Sequence, residues 1–274
     1  MRHMKITKAI IPVAGWGTRR LPITKSIEKC MLPIGNRPMV DYVVQDCIDA
    51  GITDIYFVVS EDSSQLQSYY AANEALETYL EAHNKTEMLS LVTPPVARFH
   101  YIIQPSTAPY GTATPVGLAL PYIEKGESVA VLMGDDCLYR TDGISEVARL
   151  IERAEGESAM LGVYVPLEDV SRYGVIQSNE LGHFERIVEK PSQEDAPSTE
   201  INVSKYIFNS EMLDHVRRYV ERKDITGEYQ ITEPINSYVT DGGLVKVVIA
   251  EGEYLDSGTV EGWLHANDVV VRGH

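Results

Sequence analysis

Three cations and a handful of carboxylates stand at positions where phosphate chemistry could be done. Arg19 and Lys29 lie ten positions apart, directly after Gly15 and Gly17, in the stretch Val13-Ala14-Gly15-Trp16-Gly17-Thr18-Arg19 to Lys29-Cys30-Met31-Leu32-Pro33. Glycines without Cβ let a phosphate chain approach backbone N–H groups, and the two cations supply charge where a polyphosphate would lie. Neither familiar phosphate loop fits: G-x-x-x-x-G-K-[ST] is absent, and the Gly15-x-Gly17 pair is not completed to G-x-G-x-x-G, since no glycine follows before Leu21. A G-x-G alone also serves an ordinary strand-to-helix turn. Farther on, Asp135-Asp136 and Asp256, in Tyr254-Leu255-Asp256-Ser257-Gly258-Thr259, offer hard oxygen atoms of the kind Mg²⁺ takes, one or two carboxylates supplemented by phosphate and water. A bare Asp-Asp pair reads first as a loop start or helix cap. A second acidic residue at a distant strand end makes a shared cation possible. Glu189-Lys190-Pro191, after Tyr173-Gly174-Val175, pairs a cation for a sugar phosphate with a carboxylate for sugar hydroxyls, against the ordinary reading of a solvated ion pair.

The elements that must hold these residues alternate. Ala9 to Ala14 reads as a buried strand emptying into the glycine loop, Met39 to Ala50 as a helix closed by Gly51, and Ile55 to Val59 as the next strand. This order implies a right-handed βαβ unit. Gln65 to about Pro95 predicts an Ala-, Glu- and Leu-rich helical insertion. Strands follow at Phe99 to Gln104, Ser128 to Met133 and Ala159 to Val165, with helices from Gly111 to Leu120 and from Ile144 to Ala154. Residues 166 to 210 turn to short strands, Gly174 to Gln177, Phe184 to Glu189 and Val203 to Phe208, around a polar loop, Pro191 to Glu200, whose tip is expected to be mobile. Helices at Glu211 to Glu221, Gln230 to Thr240 and Val260 to Val270 enclose a strand at Leu244 to Ala250. The pattern predicts one α/β domain over 1 to 274, a doubly wound, mostly parallel mixed sheet with helices on both faces and its ligand at the strands' carboxyl ends.

Composition narrows the partners. A net charge of −16 repels nucleic acid and anionic membranes, and no basic patch offsets it. Cys30, Cys47 and Cys137 lack the pairing of a disulfide framework or a zinc site and read as packing residues. No secretory pattern and no membrane-length apolar run is present, which predicts a cytoplasmic protein acting on small molecules.

Taken at full length, G-x-G-T-R-x-x-P followed by K-x-x-L-P resembles the signature loop of the sugar-1-phosphate nucleotidyltransferases. That resemblance, running from Ala9 to about Asn267, implies a Rossmann-like fold and a Mg²⁺-dependent transfer that joins a nucleoside triphosphate to a sugar 1-phosphate and releases pyrophosphate. It implies Arg19, Lys29 and Lys190 as catalytic residues, and Ala14, Gly15, Gly17, Thr18, Gln104 and Gly111 as nucleotide-binding residues. Gly174, Glu189 and Lys190 would bind the sugar phosphate, and Asp135 with Asp256 the metal, leaving Asp136 a neighbour. Gln104 would read a pyrimidine edge, where an amide can both donate and accept. The helical insertion, the Gln104-to-Gly111 spacing and Glu228-Tyr229-Gln230-Ile231-Thr232 are more similar to the bacterial uridylyl branch, which uses UTP and glucose 1-phosphate, than to the thymidylyl branch. A dTTP-using enzyme, another hexose 1-phosphate, and a non-catalytic sugar-nucleotide-binding regulator are the alternatives. Ser204 stands where a Gly is usual in the family and Cys30 where a Glu is usual. The chain stops soon after Val271, where relatives use further helices for oligomer contacts, so a dimer or a tetramer stays open.

Overall fold

Odd and even positions of the same strands feed two separate cores, one on each face of the sheet. The computed structural model describes residues 5–181 and 183–273. Strand β1 (Lys8–Pro12) enters the glycine loop, which ends in a small hairpin, β2 (Pro33–Ile34) and β3 (Arg37–Pro38). Then come α1 (Met39–Asp49), β4 (Asp54–Ser60), α2 (Gln65–Tyr70), α3 (Glu74–Ala82), β5 (Arg98–Gln104), α4 (Ala113–Ala119), β6 (Val129–Leu132) and β7 (Asp136–Tyr139). The second half holds α5 (Glu146–Ala154), β8 (Ser158–Tyr164), β9 (Gly174–Ser178), β10 (Phe184–Glu189), β11 (Glu200–Phe208), α6 (Ser210–Val220) and α7 (Thr232–Thr240). It closes with β12 (Val245–Ile249), β13 (Glu253–Asp256) and α8 (Val260–Arg272).

Nine strands form the main sheet in the order β10-β9-β11-β6-β1-β4-β5, with β8 beside β11 and β12 beside β8. β1 runs parallel to β4 and β6, β4 to β5, and β8 to β12, whereas β11 opposes β6, β8 and β9, and β10 opposes β9. Only β10 and β11 therefore run against the common direction, so the sheet is mixed and mostly parallel. Ala9, Ile11, Phe57 and Val59 face α1, α5 and α8; Ile10, Tyr56, Val58 and Ile102 face α4, α6 and α7. Period-two alternation in strands that read as plain apolar runs is what lets helices cover both faces. All three cysteines are buried and free, in keeping with packing roles. No helix among the described residues is long and apolar enough to cross a membrane.

The structure departs from the sequence expectations locally. The predicted helices at 111, 144 and 230 start two residues later, at Ala113, Glu146 and Thr232. At the first and last, the chain is committed elsewhere: Tyr229 N donates to Tyr110 O at 2.8 Å, Ala113 N to Tyr229 O at 2.8 Å and Ile231 N to the Thr112 hydroxyl at 2.9 Å. For α5, Ser145 takes the cap by accepting from Ala148 N at 2.9 Å. The helical insertion divides into α2, α3 and a 3₁₀ stretch, Thr86–Leu91. In the polar loop, Ser192 donates to Asp195 at 2.6 Å and Ser198 to Ile176 O at 2.6 Å. β7 and β13 were not anticipated as a pair; they form a separate two-stranded antiparallel sheet that sets Asp256 opposite Asp136.

Candidate active site

The carboxyl ends of β1, β4, β5 and β6 lie on one edge because these strands are parallel, and the glycine loop leaves from that edge. Gly17 turns at φ +63°, and a Cβ there would lie 3.0 Å from Lys29 Cβ, so glycine lets the loop fold onto its own lysine. Thr24 donates to Gly17 O at 2.9 Å and fixes that fold. Nothing would meet a Cβ on Gly15, which is exposed together with Thr18 and Arg19; Ala14 is half-buried.

Lys29 Nζ pairs with the Asp135 carboxylate at the end of β6. Burial opposes ionisation of Asp135, but the Lys29 ammonium and its hydrogen bond outweigh it and hold the carboxyl below its usual range. On the next residue the side chain turns inward: Asp136 is buried, pairs with buried Lys205, and accepts from Tyr254 OH at 3.0 Å. Desolvation pushes the Asp136 carboxyl up to about 6 despite Lys205. The turn from β6 into β7 thus gives the two aspartates different tasks, the first facing the glycine loop and the second tying β7 to β11 and β13. Asp256 accepts from Gly258 N at 2.8 Å; a Cβ on Gly258 would lie 2.9 Å from Asp256 Oδ1 and 3.8 Å from Arg19 Nη1. Arg19, Lys29, Asp135 and Asp256, four residues separated by up to 237 positions, are therefore gathered on one edge. Two carboxylates among cations suit Mg²⁺, which takes few protein ligands and completes its shell with phosphate and water; no cluster of three or more ligating side chains exists among the described residues.

A second group sits on β9 and β10. Gly174 lies opposite Glu189 in their ladder, and a Cβ on Gly174 would be 3.2 Å from Glu189 Oε1, so the glycine makes room for that carboxyl. Shielding of the carboxyl raises the Glu189 pKa, Lys190 and a hydrogen bond with Thr232 work against it, and Glu228 and Glu233 add to it. Lys190 is exposed and left-handed at φ +46°, held by its N–H to Tyr173 O at 2.9 Å. Tyr173 packs edge-on to Tyr254, ring centres 6.4 Å apart, and so links this group to the aspartates. Gln104, half-buried, ends β5 opposite Ser60 on the same edge as the loop. Gly111, at φ +140°, has a structural duty: a Cβ there would lie 2.3 Å from Tyr229 O, so its place is claimed by the chain's own backbone.

Several supporting residues escaped the sequence reading. Glu28 accepts from Ser64 N and Gln65 N, both at 2.8 Å, so the residue before Lys29 caps α2 and staples the insertion to the loop. Lys205 carried no signal beyond being a Lys inside an apolar strand. Its place follows from strand alternation: Val203 and Ile207, two residues to either side, lie in the core on one face of the sheet, and Lys205 shares that face, next to Ser204 at φ +52° where the β11–β8 register shifts.

The chain is similar to known proteins along nearly all of its length. The family model described as nucleotidyl transferase matches residues 8–272. A UTP–glucose-1-phosphate uridylyltransferase of Haemophilus influenzae is 33% identical over 94% of this chain and 91% of its own length. A UTP-bound UDP-glucose pyrophosphorylase from Acinetobacter baumannii superposes with a TM-score of 0.85 at 28% identity, over 98% of this chain and 94% of that one. A UDP-glucose pyrophosphorylase complexed with UDP-glucose superposes with a TM-score of 0.80 at 28% identity, over 98% and 100%.

Proposed function

Given that the chain belongs to the nucleotidyl transferase family, we propose that it forms UDP-glucose and pyrophosphate from UTP and glucose 1-phosphate. The observation that carries this reading is the meeting of Arg19, Lys29, Asp135 and Asp256 on one sheet edge. Relatives of the same length range, and solved structures holding UTP or UDP-glucose, supply the substrate classes.

In the proposed reaction an oxygen of the sugar 1-phosphate attacks the α-phosphorus of UTP. The new P–O bond forms in line as the bond to the β-phosphate bridging oxygen breaks, and pyrophosphate departs with that electron pair. The protein forms no covalent intermediate; it positions the partners and neutralises charge. Lys29, beside the end of β6, stabilises charge growing on the α-phosphoryl oxygens. Arg19 holds the leaving pyrophosphate. Lys190 places the nucleophilic phosphate, and Glu189 accepts from sugar hydroxyls. Backbone groups of Ala14, Gly15, Gly17 and Thr18 lie along the triphosphate, and Gln104 faces the base edge. Asp135 and Asp256 are the residues that would hold Mg²⁺, whose contribution when bound is to offset phosphate charge.

Pyrophosphate release from the purified protein with glucose 1-phosphate and Mg²⁺, offered UTP or dTTP, tests the proposal. Release with UTP, weaker with dTTP and abolished by EDTA, is expected; no release with either nucleotide overturns it.

A further inference from the structure

Arg20, next to the exposed Arg19, is only 4% exposed. Its Nη1 donates to Ser257 O at 2.8 Å and Thr259 O at 2.7 Å, and its guanidinium lies over the Trp263 ring, 5.2 Å from the centroid. Among the described residues it makes no ion pair within 4 Å, and its Nε is buried without a hydrogen-bond partner. A buried arginine that spends its hydrogen bonds on two carbonyls, with Glu261 acting on it only through space, is costly to keep, so its value lies in what those carbonyls belong to. They flank Gly258 and follow Asp256 directly. From the same turn, the Ser257 hydroxyl donates to Asp135 O at 2.8 Å.

One chain of bonds thus runs from the glycine loop through Arg20 to the 256–259 turn, and from that turn to the backbone of Asp135. From the other side, Trp263 Nε1 donates to Pro33 O at 2.7 Å and Asn267 accepts from Gly35 N at 2.9 Å, so α8 also grips the far end of the loop at β2. We infer that Arg20 is a positioning residue that couples the triphosphate-binding loop to the Asp135–Asp256 pair, so that nucleotide and divalent cation bind as one unit. The inference rests on the nucleotidyl-transfer reading of the site. It touches no reacting atom and needs none: coupling is the excess affinity each ligand gains from the other, and it is reciprocal.

The test is calorimetric titration of UTP with and without Mg²⁺ into wild type, Arg20→Met and Ser257→Ala, with pyrophosphate release measured in parallel. In wild type Mg²⁺ tightens UTP binding. In Arg20→Met that gain falls about tenfold, the worth of one charge-assisted hydrogen bond, while metal-free UTP affinity stays within about twofold. Ser257→Ala, a smaller change that leaves Arg20 intact, moves the gain in the same direction and carries the test if Arg20→Met loses its circular dichroism signal. An unchanged Mg²⁺ gain in both variants overturns the inference. So does a loss of UTP affinity in Arg20→Met that is equal with and without Mg²⁺, which would make Arg20 a source of charge only. A wild type that binds Mg²⁺ and UTP cooperatively yet releases no pyrophosphate would overturn the proposed reaction and leave the assignment of Arg20 decided by the titrations.

Discussion

At the loop end of the cleft, Lys29 sits on Asp135, Arg20 bonds to Ser257 and Thr259, and Ser257 bonds back to the Asp135 carbonyl. At the other end, Glu189 and Lys190 are both exposed, and Lys190 keeps its left-handed backbone through a bond to Tyr173. The electrostatics differ in the same sense. The Asp135 carboxyl is held below its usual range by a cation, while the Glu189 carboxyl is raised by shielding and by Glu228 and Glu233. One end is assembled before any ligand arrives; the other offers groups that a ligand must gather. Preorganised charge acts on the transition state because it need not rearrange during the reaction. Groups ordered by the substrate contribute to its binding. The cross-tied end should therefore govern kcat, and the open end KM.

The sharpest break of that contrast is at Lys29. Lys29→Ala and Asp135→Ala should each lower kcat by about 100-fold or more, with melting temperatures near wild type, since both side chains sit at the cleft edge. Pyrophosphate release and thermal melts check this; near-wild-type turnover would mean that the pair is only an ion pair. Next comes the anchor beneath it. Lys205→Met leaves Asp136 buried and unpaired, which should cost about 3–5 kcal/mol. For a chain of this size that is a fall of roughly 6–20 °C in melting temperature. Lys205→Met combined with Asp136→Leu should recover most of it, because an apolar pair of similar volume replaces both charges. A Lys205→Met protein as stable as wild type would show that the aspartates are held by the β7–β13 ladder alone.

Both ends were legible in the sequence to different depths, for reasons that can be named. The strand ends could be found because β1, β4 and β6 are short apolar runs that stop at Pro12, Ser60 and Leu132, each reaching a polar residue or a glycine within three positions. Asp135 could be placed from that alone. Asp136 could not: its inward turn depends on a four-residue strand, β7, whose partner β13 lies over 110 residues away, and so short a pairing has no periodicity to detect. Arg20 was hidden by its neighbour, since nothing in Thr-Arg-Arg distinguishes the cation that faces solvent from the one buried under Trp263. Lys205 was hidden by its type: the alternation that buries Val203 and Ile207 carries it inward too, but nothing local names Asp136 as the partner that a buried lysine needs. Gly111 was read for ligand approach by resemblance; the Tyr229 backbone against it is a second, structural reason for a glycine, and one set by a segment over 110 residues away. Local pattern finds elements; long-range register decides which of two adjacent like charges is buried.

At the open end the effects should be smaller and of another kind. Lys190→Ala should raise KM for glucose 1-phosphate about tenfold with a lesser change in kcat, as expected when a binding contact common to ground and transition states is lost. Lys190→Gly should show the same KM without loss of stability, because glycine takes φ +46° freely and a side chain there costs about 1 kcal/mol. A kcat loss that exceeds the KM change would move Lys190 to the preorganised side of the contrast.

The smallest effect is expected at Glu189, through pH. A carboxyl whose pKa is raised on folding binds its proton more tightly in the folded chain than in the unfolded one. Its contribution to stability is therefore present at acid pH, and it is lost as pH climbs from the ordinary glutamate value near ~4.3 through the raised one. Glu189→Gln removes this dependence. Melting temperatures of wild type and Glu189→Gln, measured between about pH 4 and pH 7, should converge at the acid end and separate slightly in favour of the variant at neutral pH. The displacement is small because solvent reaches the residue and screens Glu228 and Glu233. A variant less stable than wild type at neutral pH would mean that Glu189 is already satisfied as an anion, and that the sugar end is as fully assembled as the loop end.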